Sequence, residues 1–174
     1  MDVFTVTKVP FKVLFVFVVL AHHRRRVVHV NVTDAPTAQW TAQEIVEAFP
    51  WDTAPRDLLR DRDGLYGGVF SRRVRSLGIR EVKTAPRSPW QNPYVERLIG
   101  TLRRECLDHM VVLNETHLRR LLRDYLAYYH SVRTHLSLNK DSPEPRAVHR
   151  PALGRIVETP LVGGLHHRYS RLAA

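Results

Sequence analysis

The sequence predicts an α/β fold: a five-stranded mixed sheet with helices on both faces, followed by an irregular C-terminal tail. Three features lead to it. Residues 2–33 hold three consecutive runs of strand-forming residues. Between residues 38 and 83, helical periodicity alternates with two short strand-like runs. Beyond residue 92 two amphipathic helical stretches follow. Strands interleaved with helices build a sheet that helices cover.

Residues 2–8 (DVFTVTK) alternate as a short strand. Residues 12–20 are almost purely apolar and fit a central strand buried on both faces. Residues 26–33 (RVVHVNVT) alternate again, and the short stretch 21–25 predicts a hairpin with the preceding run. Asp34, Pro36 and Thr37 supply helix-start chemistry, with Asp34 read as the cap. A helix over 38–49 follows with Trp40, Ile45, Val46 and Phe49 inward, and Pro50 ends it. Residues 57–60 predict a strand, 68–77 a helix with Val69, Phe70, Val74 and Leu77 inward, and 79–83 a short strand after Gly78. The proline-punctuated segment 84–92 reads as a loop. A long helix is predicted over 93–108, with Val95, Leu98, Ile99, Leu102 and Cys106 on one face. Asn114 is a candidate N-cap for a helix over 115–130 that turns Leu118, Leu121, Leu122, Tyr125 and Tyr129 inward. Residues 141–174 are rich in Pro, Gly, Arg and His and show little periodicity.

Across 174 residues, Lys and Arg number 27 against 17 Asp and Glu, a net charge of +10. This balance favours a polyanionic partner such as nucleic acid. Nearly all the positive charge is arginine, the better bidentate phosphate ligand. The single cysteine, Cys106, rules out an intrachain disulfide and a cysteine-based zinc site. It fits a reducing cytoplasm. The apolar run 13–21 is too short to span a bilayer and its positive charge follows it, so no membrane role is expected.

Three carboxylates stand where this order of elements would bring them together. Asp2 begins the first strand, Asp61 ends the fourth, and Glu96 lies in the first turn of the helix 93–108, 35 positions after Asp61. Each also has a plain structural reading. Asp2 could be a solvated terminal residue, Asp61 a turn residue, and Glu96 a first-turn glutamate favoured by the helix dipole. Asp63, followed by Gly64, reads as turn chemistry, and Glu105 as a solvated partner for arginine.

Residues around these points resemble a known family. Arg60–Tyr66 (RDRDGLY) resembles the strand-end aspartate segment of bacterial insertion-sequence transposases. Ser88–Glu105 (SPWQNPYVERLIGTLRRE) resembles their glutamate helix, and Tyr128–Leu138 (YYHSVRTHLSL) the segment that follows it. The likeness covers roughly residues 2–145. It implies a DDE transposase core with the RNase H-like fold of retroviral integrases, spanning 1–140, with 141–174 as an irregular basic tail. It implies that Asp2, Asp61 and Glu96 are catalytic and bind two Mg2+ or Mn2+ ions. It implies metal-dependent DNA cleavage and strand transfer by a homo-oligomer on DNA, in a bacterial cytoplasm beside the nucleoid.

Hard divalent cations take oxygen ligands, and a two-ion site can activate the attacking oxygen and stabilise the leaving one. Trp90, Gln91 and Asn92, in the loop before the glutamate helix, are candidate DNA contacts, with Trp90 open to a core role. Arg97, Arg103 and Arg104, on the helix itself, could hold phosphates or simply be solvated. The basic turn 22–26 and the pair His166–His167 carry no specific signal. Relatives usually hold a helix-turn-helix segment upstream. Here the chain begins one residue before Asp2, so a truncated first strand is expected. A truncated, inactive copy that only binds DNA is therefore the alternative, and a nuclease that cuts without joining is a further one.

Overall fold

The computed structural model describes residues 1–172. Strands β1 (Asp2–Lys8), β2 (Lys12–Ala21) and β3 (Arg26–Thr33) form one antiparallel sheet in that order. Helix α1 (Ala38–Ala48) follows. Strand β4 (Asp57–Arg60), helix α2 (Gly68–Ser76) and strand β5 (Arg80–Lys83) then form a parallel crossover unit. Two helices complete the core, α3 (Pro93–Glu105) and α4 (Glu115–Ser131).

The predicted single five-stranded sheet is corrected to a three-stranded sheet and a separate two-stranded one. The reason lies at the start of β1. The Met1 amino group donates to the Leu59 carbonyl at 2.9 Å, which joins β1 to β4 by one hydrogen bond rather than a ladder. Neither sheet is mixed in itself: β1–β2–β3 is antiparallel throughout and β4–β5 parallel.

Helices lie on both faces because β2 is apolar on both. Leu14, Val16, Val18 and Leu20 face α3 and α4, where Leu98, Leu102, Leu118, Leu122 and Tyr125 meet them. Phe17 and Val19 face α1 and α2, against Ile45, Phe70 and Val74. This is the period-2 alternation of a strand with two apolar partners. The inward faces predicted for α3 and α4 are buried as expected, and Leu126 joins them.

Helix α1 departs from expectation. Thr37, not Asp34, caps it by accepting from the Trp40 N–H. Its inner face includes Thr41 and Glu44, which is only 2% exposed. Glu44 survives burial because both oxygens are engaged, one by His29 at 2.6 Å and one by Asn31 at 2.8 Å. Helix α3 stops at Glu105, short of the predicted 108, and a 3-10 turn over Leu107–His109 takes its place.

The tail is the largest correction. Residues 155–172 form an antiparallel hairpin, β6 (Arg155–Leu161) and β7 (His166–Leu172), while Ala173 and Ala174 lie outside the described residues. Gly163 and Gly164, both at positive φ, make its turn. Most of its side chains are exposed, so no apolar alternation marks it in the sequence. It docks on the core all the same. Val162 is buried, and the His166 ring stacks on Tyr128 at 4.2 Å with its Nε2 2.7 Å from the Glu105 carbonyl. Nor is the turn 22–25 merely solvated. Arg24 donates to Asp141, Ser142 and Pro143, which clamps the start of the tail against the sheet.

Glu105 is the polar hub that joins α3, α4 and the segment beyond α4. It accepts from Tyr125 at 2.7 Å and twice from Arg133, at 2.6 and 2.8 Å, and these partners hold its carboxyl below the usual range despite burial. Replacing Glu105 with Ala leaves Arg133 and the Tyr125 hydroxyl unmatched. The expected loss is about 2 kcal/mol, read as a drop of about 6 °C in thermal midpoint.

Histidines in the same region set an acid limit. Burial, with Arg133 adding repulsion, pushes the His135 imidazole down to about 4. Burial also lowers His130, whose Nε2 accepts the Val27 N–H and so must be unprotonated. The folded-state values lie below the unfolded one near 6.5, so the folded state binds fewer protons. Stability is full above about pH 6.5 and falls as pH drops towards 4. Thermal midpoints from pH 7 to 4.5 are expected to fall less steeply in His135→Gln than in the parent chain.

Candidate active site

Three separate elements deliver the three carboxylates to one cleft. Asp2 opens β1, Asp61 directly follows β4, and Glu96 sits in the first turn of α3. All three line a cavity of about 250 Å3 together with Arg62, Arg87 and Asn92. Asp2 is half-buried and accepts the Val3 N–H at 2.8 Å. Burial chiefly, then repulsion from Asp61 and Glu96, push its carboxyl up to about 6, against the lowering effect of that hydrogen bond. Burial likewise lowers the neighbouring Met1 ammonium to about 6, with Asp2 and Asp61 opposing.

Asp61 and Asp63 divide two tasks. The Asp61 carboxylate accepts the Asp63 N–H at 3.2 Å, and the Asp63 carboxylate accepts the Leu65 N–H at 2.8 Å. Both are local turn bonds, so Asp63 does what turn chemistry asks of it. Beneath them lies Arg60, 2% exposed, which no sequence signal singled out. Its guanidinium pairs with Glu81 at 2.5 Å and donates to the Asp61 carbonyl at 2.6 Å and the Tyr66 carbonyl at 3.4 Å. Ser71 donates to the same Glu81.

The donor set fits hard divalent cations. Three carboxylates face one cleft, and among the described residues none has an ion-pair partner. The Asn92 Oδ1 and the Tyr66 hydroxyl are buried without a hydrogen-bond partner. Burial and the charges of Asp2, Asp61 and Asp63 hold the Tyr66 phenol far above its usual range. Uncompensated negative charge of this kind favours either a proton or a cation. The carboxylates are splayed. Among the described residues the one group with ligand atoms mutually within 4.8 Å is His29, Glu44 and Glu47, on β3 and α1. There Glu44 is already satisfied by His29 and Asn31.

The candidate DNA contacts separate. Trp90 is 71% exposed, which excludes the core role. Gln91 is exposed, and its Oε1 accepts the Ala85 N–H at 2.7 Å, bracing the loop. Asn92 is corrected from surface contact to internal brace. It is 3% exposed because its side chain turns inward and donates to the Met1 carbonyl at 3.2 Å. Arg97, Arg103 and Arg104 are exposed. The Arg103 guanidinium is drawn to β1, donating to the Thr5 carbonyl over the Phe4 ring. Arg104 lies over Gly100, where a Cβ would stand 3.0 Å from its Nη1.

Two further cleft arginines were not expected from the sequence: Arg62, anchored to the Thr84 carbonyl at 2.8 Å, and Arg87 in the loop. The DR pair 61–62 was visible, but nothing in sequence places loop residue 87 opposite it. Arg25 lies 3.5 Å over the Tyr94 ring, so the basic turn also reaches the first turn of α3. Arg60→Ala is expected to leave the largely buried Glu81 with only Ser71 and the more distant Lys83 as partners and to cost about 3 kcal/mol, measured by chemical denaturation. The shorter side chain also frees the Asp61 backbone.

Residues 77–143 match the sequence family described as integrase core domain. No curated protein matches the chain. Among solved structures, a chain of the simian T-cell lymphotropic virus intasome, in complex with PP2A regulatory subunit B56 gamma, superposes with a TM-score of 0.65 at 15% identity. The match covers 97% of this chain and 64% of that one, so this chain spans less than two thirds of its neighbour's length. The catalytic core domain of BIV integrase superposes with a TM-score of 0.57 at 18% identity, covering 82% of this chain and 88% of that one. These likenesses give the α/β architecture its name, the RNase H-like fold of integrase catalytic cores. The family match runs from the end of α2 through Glu96 to the segment after α4, and the fold of the chain is similar to that of integrase catalytic cores.

Proposed function

We propose that this chain is a transposase or integrase catalytic core that cleaves DNA strands and joins them in a metal-dependent reaction, with Asp2, Asp61 and Glu96 as its catalytic carboxylates. One observation carries the reading: three carboxylates, without ion-pair partners among the described residues and delivered by β1, the end of β4 and the first turn of α3, share one cleft. Two Mg2+ or Mn2+ ions held by these side chains would supply Lewis acidity to phosphoryl transfer. The protein's own part is positional. Arg60 sets the Asp61 backbone from below, and Asn92 ties the loop before α3 to the start of β1. Arg62 and Arg87 offer guanidinium groups to the phosphate at the cleft, and exposed Trp90 offers a ring to an unstacked base. DNA as the substrate, transposon ends and target alike, agrees with the net charge of +10. A homo-oligomer on DNA, in a bacterial cytoplasm at the nucleoid, belongs to the same proposal.

The alternative, a fragment that binds DNA without turnover, differs in one measurable respect. Purified chain is mixed with supercoiled plasmid and Mn2+, beside Asp61→Asn and Glu96→Gln. Nicking that falls at least about 100-fold in both variants supports the carboxylate site. A folded parent chain that binds plasmid but never nicks it sinks the enzymatic reading and leaves the DNA-binding one. Joining of a labelled 3′-hydroxyl oligonucleotide to plasmid separates transfer from simple hydrolysis.

A further inference from the structure

We infer that the C-terminal hairpin and the segment before it form a second DNA surface, a groove that grips the phosphodiester backbone away from the carboxylates. This rests on DNA being the partner, and not on catalysis. The groove, about 570 Å3 in volume, runs between residues 144–149 and β7 and shares no lining residue with the carboxylate cleft. Arg146, Arg168 and Arg171 line it with His149, and Glu144 is the one carboxylate among its walls. None of the three arginines is ion-paired among the described residues. Three guanidinium groups around one groove repel each other unless an anion lies between them.

The backbone that carries them is braced, and the Arg171 guanidinium is held as well. The Arg171 N–H donates to His149 Nδ1 at 3.1 Å, joining the two walls, and Arg171 Nη1 donates to the Gly154 carbonyl at 2.9 Å. The Arg146 N–H faces Asp141, whose carboxylate is already held by Arg24. The hairpin itself is fixed to α4 and α3 through His166, which stacks on Tyr128 and reaches the Glu105 carbonyl. Guanidinium forks on an anchored hairpin suit phosphate oxygens better than mobile lysines would, since the fork matches two oxygens at once. A groove with several such forks fits a repeating anion, and the chain's positive field draws one in.

The test is fluorescence anisotropy of the full chain with a labelled 30-base-pair duplex across a salt series, in EDTA so that no divalent cation takes part. Arg146→Ala/Arg168→Ala removes two exposed cations. The slope of log affinity against log salt is expected to fall by about 2, and affinity at 0.1 M salt about tenfold or more. Arg73→Ala/Arg75→Ala, which removes equal charge from α2, is expected to do much less. Equal effects of the two double variants, or no effect of the first in a chain with unchanged circular dichroism, overturn the groove. So does a parent chain that binds no duplex. A first variant that loses self-association instead of DNA affinity also overturns it, in favour of a second copy as occupant. Plasmid nicking is scored separately, so loss of the catalytic reading and loss of the groove are distinguishable.

Discussion

The burial of β2 on both faces is the constraint on which the other elements depend. Leu14, Val16, Phe17 and Val18 are fully enclosed, and each face of the strand meets a different pair of helices. A large core side chain such as Phe17 typically contributes about 3–5 kcal/mol, a large share of a total stability of about 5–15 kcal/mol. The same strand fixes the register of β1, in which Asp2 stands opposite Val18. A slip of one residue would turn every β1 side chain to the other face, Asp2 included. The position of the first carboxylate is thus set by apolar packing across the neighbouring strand.

The cleft works against that stability. The rise in Asp2 to about 6 corresponds to about 3 kcal/mol of unfavourable charge burial at neutral pH. The Met1 ammonium offsets only part of it, and the buried guanidinium nearby, Arg60, is spent on Glu81 and on backbone carbonyls. Arg60 therefore steadies the chain around Asp61 without filling the cleft. Buried counter-charge is placed where it shapes the backbone, and the carboxylates are left open to whatever enters from solvent. A stability-optimised domain would pair or remove them. Among the described residues they stay without ion-pair partners, which leaves the cleft open to a cation.

Much of this was legible in the sequence, and the misses share a cause. The strands 2–8, 12–20 and 26–33 and the helices with apolar faces followed from periodicity, because their burial is one- or two-sided and leaves a pattern. The hairpin β6–β7 left none, since its strands are mostly exposed and its anchors are single residues, Val162 and His166. Its Gly163-Gly164 turn was the available signal. The division of the sheet depended on one backbone bond, Met1 to Leu59, which no side-chain pattern encodes. The meeting of Asp2, Asp61 and Glu96 in one cleft followed from spacing and context. Arg60 and Asn92 act through buried bonds to backbone carbonyls, so their roles appear only once the chain is folded.

The third motif, Tyr128–Leu138, takes on a different role once folded. In sequence it follows the glutamate helix, and none of its residues lines the carboxylate cleft. Its Arg133 grips Glu105 at the C-terminal end of α3, where a carboxylate is disfavoured by the helix dipole and needs that cation. Glu96 and Glu105 lie nine residues apart on the same helix, a rise of about 13 Å. The helix is rigid over that length, so holding one end fixes the direction of the other. Glu96 is exposed and has no side-chain partner of its own among the described residues. Its aim into the cleft is therefore inherited from the packing of Val95, Leu98 and Leu102 and from the clamp on Glu105. The motif stands apart from the cleft and bears on it by orienting the helix that carries the third carboxylate.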